Sequence, residues 1–182
     1  MMKHAIVLIA AALALASCSR TTGAAGGCNF VHAGEIQFSR ADAPDRIETR
    51  AFGETCDKAV GLLMIFDADG HPLWSWSAPL PRAFGDVFPA DRPDHMEAFL
   101  ESWARPALTT TQSAPEFAEL AAGATTLDQL TYDDIRARDL PMLCHFSGTA
   151  RQTCVFWEPA AGGAGHLLDR DAAEAASGVD GE

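Results

Sequence analysis

The most sharply patterned stretch of the chain is Leu62-Leu63-Met64-Ile65-Phe66, a continuous apolar run, followed by Asp69-Gly70 and an alternating segment from His71 to Ser77. An Asp-Gly pair between two such runs predicts a β-hairpin with a two-residue type I′ turn. Pairing 68 with 71 sets Leu63 and Ile65 opposite Trp76 and Trp74 on one face. The other face then carries Leu62, Met64, Phe66 and Leu73, followed by Ser75 and Ser77. A strand apolar on both sides belongs inside a sheet. Pro72 falls in a non-hydrogen-bonded pair and marks the partner strand as an edge. Upstream, Glu35 to Ser39 alternates, Ala41 to Asp45 supplies turn residues around Pro44, and Arg46 to Phe52 reads as a further strand.

The period changes after residue 90. Met96, Phe99, Leu100 and Trp103 recur at helical spacing between Pro93 and Pro106, and Ser113-Ala114-Pro115-Glu116 has the form of a capping box with Gly123 as its stop. Helices are therefore expected around 94–104 and 115–122, with one more turn starting near Thr131. A second hairpin is expected from Met142 to Ser147 and Arg151 to Trp157, joined at Gly148-Thr149-Ala150. Pairing Ser147 with Arg151 brings Cys144 opposite Cys154, Met142 opposite Phe156 and Phe146 opposite Gln152. The pattern predicts an α+β fold: an antiparallel sheet of about five or six strands built from hairpins, with two or three short helices packed on one face. Residues 28–159 read as one globular domain and 160–182, rich in Ala, Gly and acids, as a tail.

The amino terminus follows different rules. Met1-Met2-Lys3-His4 precedes an apolar run from Ala5 to Ala16, too short to span a bilayer and laid out as a signal peptide over residues 1–17. It ends in Leu15-Ala16-Ser17-Cys18, which resembles the lipobox of bacterial lipoproteins. That resemblance implies cleavage before Cys18, a diacylglyceryl group on its sulfur and a third acyl chain, a palmitate, on the new amino terminus. A single myristoyl chain binds membranes only marginally, whereas three chains hold a protein for its lifetime. Ser19 stands where an Asp would signal inner-membrane retention, so the resemblance implies an outer-membrane anchor facing the periplasm. Residues 18–27 then form the lipidated cysteine and a Gly-rich flexible tether whose nine residues after Cys18 reach roughly 16 Å.

With Cys18 assigned to lipid, Cys28, Cys56, Cys144 and Cys154 remain. Four cysteines in an oxidising compartment without a C-x-x-C pair read as two disulfides rather than a metal site. The second hairpin's register favours Cys144–Cys154, leaving Cys28–Cys56. Removal of the signal segment, whose one charge is Lys3, leaves 12 basic against 25 acidic residues, a formal charge of −13. A field of that sign repels phosphate backbones, which excludes nucleic acid as an expected partner.

Candidate chemistry is sparse. The chain has no G-x-S-x-G, its Gly-rich stretch at 160–165 lacks a Lys and opens no helix, and no cofactor is expected. Asp67 and Asp69 have the wrong glycine spacing for an EF-hand calcium loop and read as turn residues. Asp86, Asp91, Asp94, His95 and Glu97 gather around a helix start, where acids are favoured by the helix dipole. Trp74 and Trp76, at i and i+2, share one strand face and are a candidate binding pair if exposed, with burial under the helix bearing Phe99 and Trp103 the simpler expectation. The leading expectation is a non-enzymatic, lipid-anchored envelope protein that binds a macromolecular partner or cell-wall component. The alternative is an envelope hydrolase using the acidic cluster around His95.

Overall fold

Period-two alternation in the first third of the chain produces four strands, β1 (Cys28–Ile36), β2 (Asp45–Gly53), β3 (Val60–Phe66) and β4 (Pro72–Pro79), paired antiparallel in that order. The structure is a computed structural model in which residues 27–90 and 92–172 are described; Cys18, the signal segment, Asp91 and residues from 173 onward lie outside the described residues. A short helix α1 (Leu80–Phe84) and a longer one, α2 (Pro93–Trp103), lead to a second four-stranded antiparallel sheet, β5 (Ala107–Thr110), β6 (Pro141–Gly148), β7 (Arg151–Glu158) and β8 (Gly163–Asp171). Helix α3 (Gln129–Ala137) precedes β6. The class is α+β as the pattern predicts, but eight strands divide between two sheets where one sheet of five or six is expected.

The central strand β3 behaves as its double-sided apolar sequence requires. Gly61, Leu63 and Ile65 are buried on the inner face, and β4 closes the sheet as an edge. Leu63 pairs with Trp76 and Ile65 with Trp74, the expected register, but Phe66 pairs with Pro72 because a bulge intervenes. The loop is therefore longer than two residues. Its cause is Asp67, whose carboxylate accepts the backbone N–H of Asp69 (2.9 Å) and of His71 (2.7 Å) and holds His71 Nδ1 at 3.0 Å. A similar device shapes the β1–β2 loop. Buried Asp45 accepts from the backbone N–H of Phe38 (3.0 Å) and Ser39 (2.6 Å), so Phe38, expected within a strand, instead turns into the core.

Ile47, Ala51, Leu63 and Ile65 on the inner face of the first sheet share a core with Met96, Leu100 and Trp103 of α2 and with Leu143 and Val155 of the second sheet. Thr49 Oγ1 donates to the Leu100 carbonyl at 2.9 Å and fixes α2 on β2. The opposite face of the second sheet, Met142, Cys144, Cys154 and Phe156, packs with Tyr132 and Ile135 of α3. Buried Thr111 ties α3 to the entry of β6: its hydroxyl donates to the Ile135 carbonyl and accepts from the Leu140 N–H, each at 2.9 Å.

Three local expectations are corrected. The helix expected over 115–122 is a 3₁₀ turn, Phe117–Glu119, whose capping box is formed by Glu116 and Glu119 rather than by Ser113. The turn near Thr131 is a nine-residue helix begun by Asp128, which accepts the Thr131 N–H at 2.9 Å. The segment from 160 is not all tail: Gly163–Asp171 forms β8 and pairs along β7. Small residues suit that strand, since a Cβ at Gly165 would lie 2.8 Å from the Phe156 ring.

Candidate functional site

Both disulfides join the expected partners, Cys28–Cys56 with a Cα separation of 4.9 Å and Cys144–Cys154 with 4.0 Å. In the second hairpin Cys144 faces Cys154, Met142 faces Phe156 and Phe146 faces Gln152 as expected; only the tip differs, with Gly148 rather than Ser147 opposite Arg151. A bulge after Phe146 absorbs the extra residue.

Trp74 and Trp76 lie at the seam between the two sheets, each half-buried. Trp74 Nε1 donates to His145 Nε2 at 3.2 Å, while His145 Nδ1 lies 3.0 Å from the Phe146 carbonyl. This pairing sets the tautomer, with the proton on Nδ1 and the lone pair on Nε2 facing the indole. Burial pushes the His145 pKa down to about 4, against the opposing pull of the Phe146 carbonyl and the Asp169 charge. Trp76 meets Trp103 edge-on at 5.4 Å and Phe84 at 6.4 Å, beneath the helix that carries Phe99.

Of the described acidic group, Asp94 and Glu97 line one concavity with His32, and neither Asp86 nor His95 is part of it. Asp94 is held in a fork by Arg92 at 3.2 and 3.1 Å, and Arg92 also approaches His95 Nε2 at 2.8 Å. The guanidinium keeps the Asp94 carboxyl below the usual carboxylate range. Asp86 and Glu97 are exposed, and Glu97 points toward β1, along a surface with Phe30 and His32. A general acid and base must reach a common reacting atom. Among the described members, only His95 borders an apolar concavity.

That concavity is a groove of about 340 Å³ between α1, Val87 and Phe88 of the following loop, α2 and the β6–β7 turn. Its walls are aromatic: Phe99 stacks on Trp103 at 5.2 Å and is met edge-on by Phe84 at 5.0 Å and Phe88 at 4.8 Å. Val87 stands on the rim, 51% exposed, with His95, Ser102 and Thr149 as polar edges. Trp103 is locked from beneath, its Nε1 donating to the Phe146 carbonyl at 2.8 Å. Sequence reasoning placed Phe99 and Trp103 in the core and missed the groove, because Phe84 and Phe88 sit in a Pro-rich stretch with no readable period.

A separate grouping, Asp67, Asp69 and His71, brings three potential ligand atoms within 4.8 Å of one another on the β3–β4 loop. The hydrogen bonds that build the loop already engage Asp67 and His71.

The chain matches no protein-family model, no curated protein and no solved structure. No helix among the described residues is long and apolar enough to cross a membrane.

Proposed function

We propose that the protein is a non-enzymatic, lipid-anchored component of the bacterial cell envelope, held by acylated Cys18 in the outer membrane and facing the periplasm, that binds a macromolecular partner or cell-wall component. The anchor rests on Leu15-Ala16-Ser17-Cys18 at the end of an apolar signal. Binding is supported by one observation, the solvent-open groove of packed aromatic rings edged by a few polar groups, the composition typical of binding concavities. Phe84, Phe88 and Trp103 form its buried floor, and Val87, Phe99 and Phe146 supply the apolar surface open to a partner. The Arg92-paired Asp94 and His95 do not form a reactive centre with it.

The test is capture from crosslinked envelopes. A Val87→Asp substitution on the rim should leave stability within about 0.5 kcal/mol, as exposed changes do, and should abolish the partner seen with the native chain. An identical partner set for both chains would refute the groove as the binding site. Mass spectrometry that found an unmodified Ser17 or Cys18 terminus would refute the anchor.

A further inference from the structure

The first sheet packs α2 and the second sheet against its inner face, while Val31, Arg46, Arg50 and Phe52 on the other face are exposed. Along β3 the outward residues Val60, Leu62, Met64 and Phe66 are each half-buried, while the inward ones between them are buried. At one end of this open face Phe52 lies between Asn29 and Val60, and Val31 pairs with the neighbouring Arg50. Val31 is 50% and Phe52 48% exposed, and as diagonal neighbours across β1 and β2 they form a small apolar patch rather than single exposures.

That end is where the chain enters the fold. Phe52 sits one pair inside the Cys28–Gly53 pair, and Val31 is three residues along β1, roughly 10 Å from Cys28 at the rise of a strand. Nine residues, Ser19 to Gly27, separate Cys28 from Cys18. A segment of that length has a typical reach of roughly 16 Å and spans at most about 30 Å, so an acylated Cys18 holds the entry end of the sheet, and not its far end, nearest the bilayer. Charge agrees. Glu35, Arg46, Glu48 and Arg50 on the open face balance to zero, and Glu48 bridges both arginines, in a chain of formal charge −12. The acidic remainder is repelled by anionic head groups and this face is not. Arg50, two residues from Phe52 and about half-exposed, is the cation at this end, whereas Arg46, over the Phe66 ring, belongs to the other. Glu54, Asp57 and Lys58 are exposed in the adjoining loop, and charged side chains there favour contact with the head groups over insertion.

We propose that the open face of the first sheet, at its Val31–Phe52–Val60 end, rests on the phospholipid surface that holds the anchor. This inference rests on the acylation of Cys18 proposed above. It turns the groove, which lies on the α2 side of the sheet, away from the membrane and toward partners.

The experiment uses the full acylated chain on vesicles of phosphatidylethanolamine and phosphatidylglycerol. An environment-sensitive fluorescent amino acid is placed at Val31 or, as control, at exposed Asp133 on α3, and spin-labelled lipid is the quencher. Emission at position 31 should shift to the blue on vesicle binding and fall at least twofold with quencher, while emission at 133 stays unchanged. Phe52→Asp should reverse the shift at 31 without releasing the chain. Vesicles that carry the chain but leave position 31 in water would overturn the docking and leave the anchor standing. A chain that does not float with vesicles would remove the anchor and the docking together. A blue shift at 31 without vesicles, with doubled mass in light scattering, would give the face to a second copy and overturn the proposal.

Discussion

His145 is 1% exposed, yet both its ring nitrogens have partners, so it is a buried polar group whose burial is offset while it stays neutral. Its folded pKa of about 4 lies below the ordinary 6.5. Above pH 6.5 neither state is protonated there; between 6.5 and 4 the unfolded chain takes up a proton that the folded chain refuses. Stability is therefore lost as pH falls through that window, by about 3 kcal/mol in all. Histidine ring signals followed by NMR should give a midpoint near 4 for this residue, and a midpoint near 6.5 would show a solvated site. Trp74→Phe keeps the ring but leaves Nε2 without a donor, at a cost of about 1–3 kcal/mol in denaturant unfolding. Trp76→Ala loses ring contacts to Trp103, Phe84 and His145. Because it is half-buried, the loss should lie near the lower end of aromatic truncations, about 3 kcal/mol.

The Cys144–Cys154 bridge closes a ring of sequence separation 10 and the Cys28–Cys56 bridge one of 28. Loop-closure entropy assigns them about 2.8 and 3.6 kcal/mol respectively. Replacing Cys144 and Cys154 together by alanine should lower unfolding stability by an amount near the first figure, and no loss would place the bridge's effect elsewhere. Asp128→Ala removes the N-cap of α3 and should cost about 1 kcal/mol. These elements differ in how plainly the chain announces them. The two hairpins around 62–77 and 142–157 were legible because each couples an apolar alternation to a turn or a cysteine pair. By contrast, β5 has three exposed residues out of four and no alternation to read. The strand β8 escaped notice because close packing under Phe156 calls for Gly165, and small residues resemble a linker. Helix α3 buries only Tyr132 and Ile135, one helical step apart, too little for a periodic signal.

No disulfide crosses between the two sheets, and the seam is held by Trp74–His145, by Trp103 on the Phe146 carbonyl, by the Thr149 N–H on the Ala83 carbonyl and by apolar packing. Little of the candidate site was legible for the same reason. The groove brings Phe84, Phe88, Phe99 and Trp103 against Phe146 and Thr149, and no local pattern reports a contact of such sequence separation. The proposed anchor, by contrast, rests on four consecutive residues, Leu15 to Cys18.

The bridge at the first strand also fixes how the protein bears load. A pull on the chain at residue 27 enters at Cys28, the terminal residue of β1, where it would otherwise peel β1 from β2 one hydrogen-bonded pair at a time. The Cys28–Cys56 bond instead passes the tension around β1 into the turn just ahead of β3, the sheet's inner strand. A pull reaching Cys28 is thus shared with the middle of the sheet rather than borne by its edge strand alone.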